Sequence, residues 1–342
     1  MAIYKTYNIC AYLQKIYQAQ VSVIQGKKKM KINYQSQPLK QNWNQELPKY
    51  WFDNSPLKTH YMNAISVITP VSEIAVIHAL KETRELVKDP ALKDQITTMI
   101  AQESWHSFSH KNYNMWLKKQ GVPADEMATE HLMKIQKRKK LVEKVWNKHA
   151  AVAGWLPGLV AGEHNAAVHI EYILERPHLV EQMHPHFRQA WVWHCIEEIE
   201  HKGTAMDAWN DTKELLNRKK YKLNLAFAII SISNNYIFLK YMFKMLSLDR
   251  QLWKWRTLKD GLSFFFGRDG LYPNIAGPLL RAFGKNWHPW NKDTRYLIDR
   301  YQKILDTDYI SADEDNLIQE EYQFCVADTE ALIVQNNKVI IL

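Results

Sequence analysis

Glycine and proline are scarce, 11 and 12 among 342 residues. That scarcity argues against sandwiches and barrels, which need frequent tight reversals. The three cysteines, Cys10, Cys195 and Cys325, are odd in number and far apart. They form neither a disulfide framework nor a Cys-x-x-Cys metal site, and they fit a reducing, cytoplasmic setting. The chain has no glycine-rich phosphate loop, zinc finger, RNP motif or basic zipper, so nucleic acid is not an expected partner. The opening MAIYKTYNICAYLQKIYQAQ lacks the basic, apolar and small-residue succession of a secretory signal and reads as unprocessed.

What is present is apolar and helix-forming. A hydrophobic content of 46%, with 13 Trp and 17 Tyr, is ample for a substantial core, and helix formers dominate the long segments. The expected fold class is all-α. The net charge of +9 comes largely from the first fifty residues, including Lys27-Lys28-Lys29, and from a stretch between Lys213 and Arg300. Such a surface suits anionic lipid or an acidic partner, and equally describes a solvated basic face.

Four long segments with helical periodicity lie between residues 60 and 216. The first, Tyr61 to Val87, follows a turn-like Asp53-Asn54-Ser55-Pro56, and the second runs from Ala91 to Lys119 with Gly121 as its stop. A charged helical connection passes through Gln136-Lys137-Arg138-Lys139-Lys140. The third segment follows Pro157-Gly158 and stops before Arg176-Pro177, and the fourth extends from Pro185 to about Leu216. The organisation expected is a basic arm (1–59), a four-helix core (60–216), a basic, aromatic helical extension (217–305) and an acidic tail (306–342).

Leu223 to Leu239, LNLAFAIISISNNYIFL, matches the shortest membrane spans in length, but Asn224, Asn234 and Asn235 are costly in lipid. A buried or interfacial helix is the expectation. The aromatic and basic residues that follow allow a peripheral membrane contact through 222–268, or describe an ordinary helix with snorkelling lysines. The short apolar runs in ALIVQNNKVIIL either pair as a hairpin or form a sticky terminus.

The stretch WHCIEEIEHK, Trp193 to Lys202, carries the chemistry. Positions i, i+4 and i+7 share a helical stripe, which aligns His194, Glu198 and His201. Glu200 then points away and Glu197 sits at the stripe's edge. The second segment repeats the Glu-x-x-His unit as Glu103 and His106, with His110 one turn further. Single glutamates, Glu73 and Glu163, precede the two units on the first and third segments, among small apolar residues. A di-metal carboxylate bundle needs this set: one Glu from each of two helices and Glu-x-x-His from the other two. The expected ligands are Glu73, Glu103, His106, Glu163, His194, Glu198 and His201. They would hold two metal ions, Fe first, with Mn or Zn as alternatives. No catalytic residue is singled out. His110, His164 and Asp207 read as supporting or structural groups, and Trp105, Phe108, Trp191 and Trp193 as core or channel lining.

QESWHSFSHKNYN, LVAGEHNAA and WHCIEEIEHKGTAMDAW resemble the strongest blocks of the family named predicted metal-dependent hydrolases, and WFDNSPLKTHYMNAISVITPVSE resembles its leading segment. The likeness covers roughly residues 48 to 216, with Trp287-His288-Pro289-Trp290 similar to a later block. Thr69 and Ser72 stand where the family has Phe and Gly in Phe-Pro-x-Gly-Glu. The ligand pattern also resembles the ferritin-like di-iron N-oxygenases of arylamines, whose fourth helix gives His-x-x-x-Glu-x-x-His. These resemblances imply a ferritin-like four-helix bundle with extra helices at both ends. They imply first a di-iron oxidase or oxygenase acting on an apolar or aromatic small molecule. A hydrolase using metal-activated water is the alternative, and a non-catalytic metal-binding or membrane-associated protein a third. A homodimer is the oligomer allowed for.

Overall fold

The computed structural model describes Leu39 and residues 41–145, 148–215 and 220–305. The lysine run of the basic arm and the acidic tail, with its hairpin reading, lie outside these residues. Helix α1, Pro56–Arg84, starts ahead of Tyr61 because Ser55 is a cap rather than part of a turn. Its hydroxyl accepts from the Lys58 N–H at 3.4 Å, and Pro56 occupies the first turn, where the missing donor is harmless. Helix α2, Pro90–Lys119, is capped by Asp89, which accepts from the Ala91 N–H at 2.9 Å. Gly121, with φ of +83°, follows its end in the left-handed region that glycine favours.

Helix α3, Ala124–Val145, is the expected charged connection. Helix α4, Lys148–Leu174, contains Pro157 instead of starting after it. A proline removes one backbone hydrogen bond, and the helix continues where its surroundings are packed; Leu156, Leu159, Val160 and Ala161 are all buried. After the short α5, Pro177–Glu181, the fourth expected segment is two helices, α6 (Pro185–His201) and α7 (Thr204–Asp211). The break falls at Gly203, a poor helix former, and its bare backbone has a distant use. A Cβ on Gly203 would stand 2.3 Å from Trp290 Nε1, so the indole rests on bare backbone that only glycine provides.

Four further helices follow: α8 (Lys220–Leu248), α9 (Trp255–Phe266), α10 (Leu271–Arg281) and α11 (Arg295–Leu305), with a 3-10 turn at Pro289–Asn291. Among the described residues there is no strand, and Phe52 and Met183 form an isolated antiparallel bridge. The fold is all-α. Helix α1 packs on α2, α3 and α8, α4 on α6 and α8, and α6 on α11. Ahead of α1, Trp51 stacks on Phe187 at 4.6 Å and Trp43 on Tyr113 at 4.8 Å, so residues preceding the first helix already belong to the core. Helices α1 and α8 are long and apolar enough to cross a membrane by length and composition alone.

Lys202 ties the α6–α7 break to the C-terminal helices. Its ammonium, 2% exposed as a residue, donates to Glu171 Oε1 (2.8 Å), Thr294 Oγ1 (2.7 Å) and the Lys292 carbonyl (3.0 Å). It also lies 4.6 Å from the Trp290 ring centre. Burial pulls its pKa below the usual lysine value, while Glu171 opposes that shift. Without Lys202, Glu171 keeps Lys292 at 3.0 Å and Thr294 at 3.2 Å, but the buried charge loses its closest cation and the Lys292 carbonyl loses its donor. Lys202→Met is therefore expected to lower unfolding free energy by about 3 kcal/mol, read from urea denaturation; an unchanged midpoint would contradict this role.

Candidate metal centre

Four helices bring seven side chains together. Glu73 comes from α1, Glu103 and His106 from α2, Glu163 from α4, and His194, Glu198 and His201 from α6; all seven are buried. His106 Nδ1 stands 3.5 Å from Glu198 Oε1, 3.6 Å from Glu103 Oε2 and 3.9 Å from Glu73 Oε1. His194 Nε2 approaches the same Glu198 oxygen at 3.3 Å and Glu73 Oε1 at 3.9 Å. Around the other end of the cluster, His201 Nε2 is 3.2 Å from Glu198 Oε2, 3.3 Å from Glu103 Oε1 and 3.7 Å from Glu163 Oε2. Two overlapping groups result. Glu73, His106, His194 and Glu198 form one, Glu103, Glu198 and His201 the other, with the donor atoms of each within 4.8 Å of one another. Glu198 belongs to both and turns one oxygen to each.

The donor set fits cations. Glu73 Oε2, Glu103 Oε1, Glu163 Oε2, His106 Nδ1 and His201 Nε2 are buried without a hydrogen-bond partner, an expensive state for polar atoms unless something coordinates them. Four carboxylates balance two divalent ions. Oxygen and imidazole donors without thiolate suit Fe, Mn or Zn.

Electrostatics without a cation are strained in opposite directions. Burial pushes the Glu73 and Glu163 carboxyls well above the usual range, and neighbouring glutamates add to it. Burial acts on Glu198 in the same sense, yet His201, His106 and His194 outweigh it and hold this carboxyl well below that range. His106 is raised well above an ordinary imidazole although burial opposes it, because Glu103, Glu197 and Glu198 surround it; His201 is raised similarly by Glu198 and Glu103. His194 is lowered to about 4, mainly by burial and then by His106.

Two of the three imidazoles are also hydrogen-bonded from behind, as metal-binding histidines are. His194 Nδ1 meets His110 Nε2 at 2.9 Å; His110 Nδ1 meets Ser66 Oγ at 2.9 Å, and that hydroxyl donates to Asn114 Oδ1 at 3.0 Å. His201 Nδ1 is 3.2 Å from Gln102 Oε1, and Gln102 Nε2 donates to Glu200 Oε2 at 2.8 Å. Glu197 Oε2 stands 2.9 Å from His106 Nε2 in an ion-pair contact that lacks hydrogen-bond alignment.

Glu200, expected to face away, is thus half-buried and linked to the cluster through Gln102. Gln102 was not singled out, although its place beside Glu103 is the signal that offers it. Asp207 contacts His288 at 3.1 Å. His164 lines a cavity of about 360 Å³ with Glu171, Lys202, Trp287, His288 and Lys292. Trp105, Trp191 and Trp193 are buried in the larger core cluster, Phe108 packs against it, and the Trp193 ring meets His106 edge-on at 5.1 Å.

Residues 36–293 match the model of a family described as predicted metal-dependent hydrolase. No curated protein and no solved structure matches the chain at a significant level.

Proposed function

We propose a hydrolytic function for this centre, starting from the fact that the chain belongs to the family of predicted metal-dependent hydrolases. The observation that carries the reading to these residues is the convergence of unpartnered buried oxygens and nitrogens into two groups sharing Glu198. In this reading the bundle is ferritin-like. Glu73, His106 and His194 hold one divalent ion, Glu103, Glu163 and His201 hold the other, and Glu198 serves both. Such ions, when bound, polarise a substrate oxygen and make water nucleophilic near neutral pH.

The chain's own contribution is positional. His110 and Gln102 fix the rings of His194 and His201, so the faces turned to the ions cannot rotate away. Trp193 and the packed core keep bulk solvent from the carboxylates. Lys202 is engaged by Glu171 and Thr294 and is not the proton carrier. That task falls to Glu197, whose carboxyl burial raises above its usual range beside His106.

The di-iron oxidase reading has no support from the family comparison. It is kept as a second reading because His194 supplies a third imidazole, at 3.3 Å from Glu198. Metal analysis of protein purified without added metal, followed by a hydrolytic substrate screen and by absorbance after reduction and O₂ exposure, separates the two. Zinc or manganese with bond cleavage supports the hydrolase. Two irons with a transient O₂-dependent visible band and no cleavage would overturn it.

A further inference from the structure

The outward faces of α8 and α9 are apolar. On α9, Trp255, Leu258, Leu262 and Phe266 are exposed at helical spacing, and Trp253 and Trp255 are 84% and 75% exposed. The opposite face of α9, with Thr257, Gly261, Phe264 and Phe265, is buried. A Cβ on Gly261 would stand 2.5 Å from Leu57 Cδ1. The helix therefore lies tight against α1 and holds its outer stripe fixed. Helix α8 is also apolar outward. Tyr221, Leu225, Ile229, Ile232 and Tyr236 are exposed, while Asn224 and Asn235 are only half-buried and keep an amide oxygen from solvent. The side of α8 packed on the bundle is itself apolar, with Leu223, Phe227, Ile237 and Phe238 buried, so the outward face lacks the polar surface that a water-facing helix presents.

Charge accompanies the aromatic residues. Lys254, Arg256 and Lys259 are exposed on and beside α9. Between Gln251 and Arg268 the sequence holds four basic residues (Lys254, Arg256, Lys259, Arg268) and one acidic (Asp260), a net +3 of the chain's +9.

We propose that Trp253 and the outer face of α9 dock this protein peripherally on an anionic phospholipid surface. Tryptophan is the residue best suited to the headgroup boundary. A rigid apolar stripe enters the acyl edge by roughly 5–10 Å, and the interleaved cations meet lipid phosphates and carboxylates. A second copy of the chain fits the face less well, because a two-fold contact places the stripe against itself and opposes like charges. The helix is flush with the bundle, so it lies on the membrane and does not cross it.

The test is flotation of the full-length protein with vesicles of phosphatidylcholine alone and of phosphatidylcholine with phosphatidylserine, at low and high salt. Binding is expected only to the anionic vesicles and is expected to fall with salt. Each basic residue near such a surface contributes roughly fivefold, so Lys254→Glu/Arg256→Glu is expected to reduce the bound fraction by more than about tenfold. Trp253→Ala/Trp255→Ala is expected to reduce it comparably while leaving the melting temperature unchanged, since both rings are exposed. Wild-type protein that stays unbound to anionic vesicles, or a tryptophan variant that floats like wild type, would overturn the proposal. So would a concentration-dependent dimer in sedimentation velocity, abolished by the same variant, without flotation; that result would give the face to a second copy.

Discussion

Stripping metal from the purified protein with a chelator is expected to lower its melting temperature by about 10 °C, and by more at about pH 9 than at about pH 7. An ion held a thousandfold above its Kd contributes about 4 kcal/mol to the folded state, and a chain of this size shifts by roughly 2–4 °C per kcal/mol. The pH dependence follows from the direction of the shifts. Glu73 and Glu163 are raised by burial, and His106 and His201 are raised by surrounding carboxylates. A group raised in the folded state contributes stability below its unfolded pKa and loses it as pH climbs through the folded one. The metal-free protein therefore weakens as pH rises above neutrality. Glu198 works in reverse: its folded pKa is depressed, so its contribution is lost at acid pH. His194, lowered to about 4, also loses ground only toward acid. Cations substitute for the missing protons and flatten the alkaline decline. Thermal melts with and without chelator at the two pH values read this directly; superimposable curves would remove the metal from the account of stability.

Glu198→Ala is expected to leave at most one ion per chain and to weaken metal binding by more than about 100-fold. Partners that only orient a liganding imidazole cost about 10–100-fold when lost, and Glu198 faces both donor groups directly. The carboxylate also neutralises charge that no neighbour replaces, since Glu103 and Glu163 already face His201. Glu198→Gln separates the two contributions, because it keeps one oxygen and removes the charge. Metal content per chain by mass spectrometry after desalting is the measurement. Retention of both ions by Glu198→Ala would disprove the arrangement.

The helical period was enough to place His194, Glu198 and His201 together, because their alignment depends only on the 100° step of one helix. It was also enough to pair them with Glu103 and His106, since both units repeat the same spacing. The ligand role of these residues rests on chemistry that spacing alone does not supply. The same arithmetic turns Glu200 off the stripe and says nothing of what it meets there. Helix α2 lies on that side, and Gln102 meets it. The start of α1 was missed because Ser-Pro serves both turns and helix caps, and only the Ser55 bond to Lys58 decides between them. The break after His201 had only Gly203 as its local signal, and the indole that makes a glycine necessary there arrives from Trp290.

The contact between Gly203 and Trp290 sets an order on biosynthesis. A chain made from its N-terminus presents Glu73, Glu103, Glu163 and Glu198 to the cell before the wedge and the last partners of Lys202, Lys292 and Thr294, have been translated. At about 5–20 residues per second, that interval lasts several seconds. During it the carboxylate-bearing helices exist without the segment that locks the helix end carrying His201. Until the Trp-His-Pro-Trp segment reaches Gly203, the helix end carrying His201 lacks that contact and the Lys202 ammonium lacks two of its three acceptors.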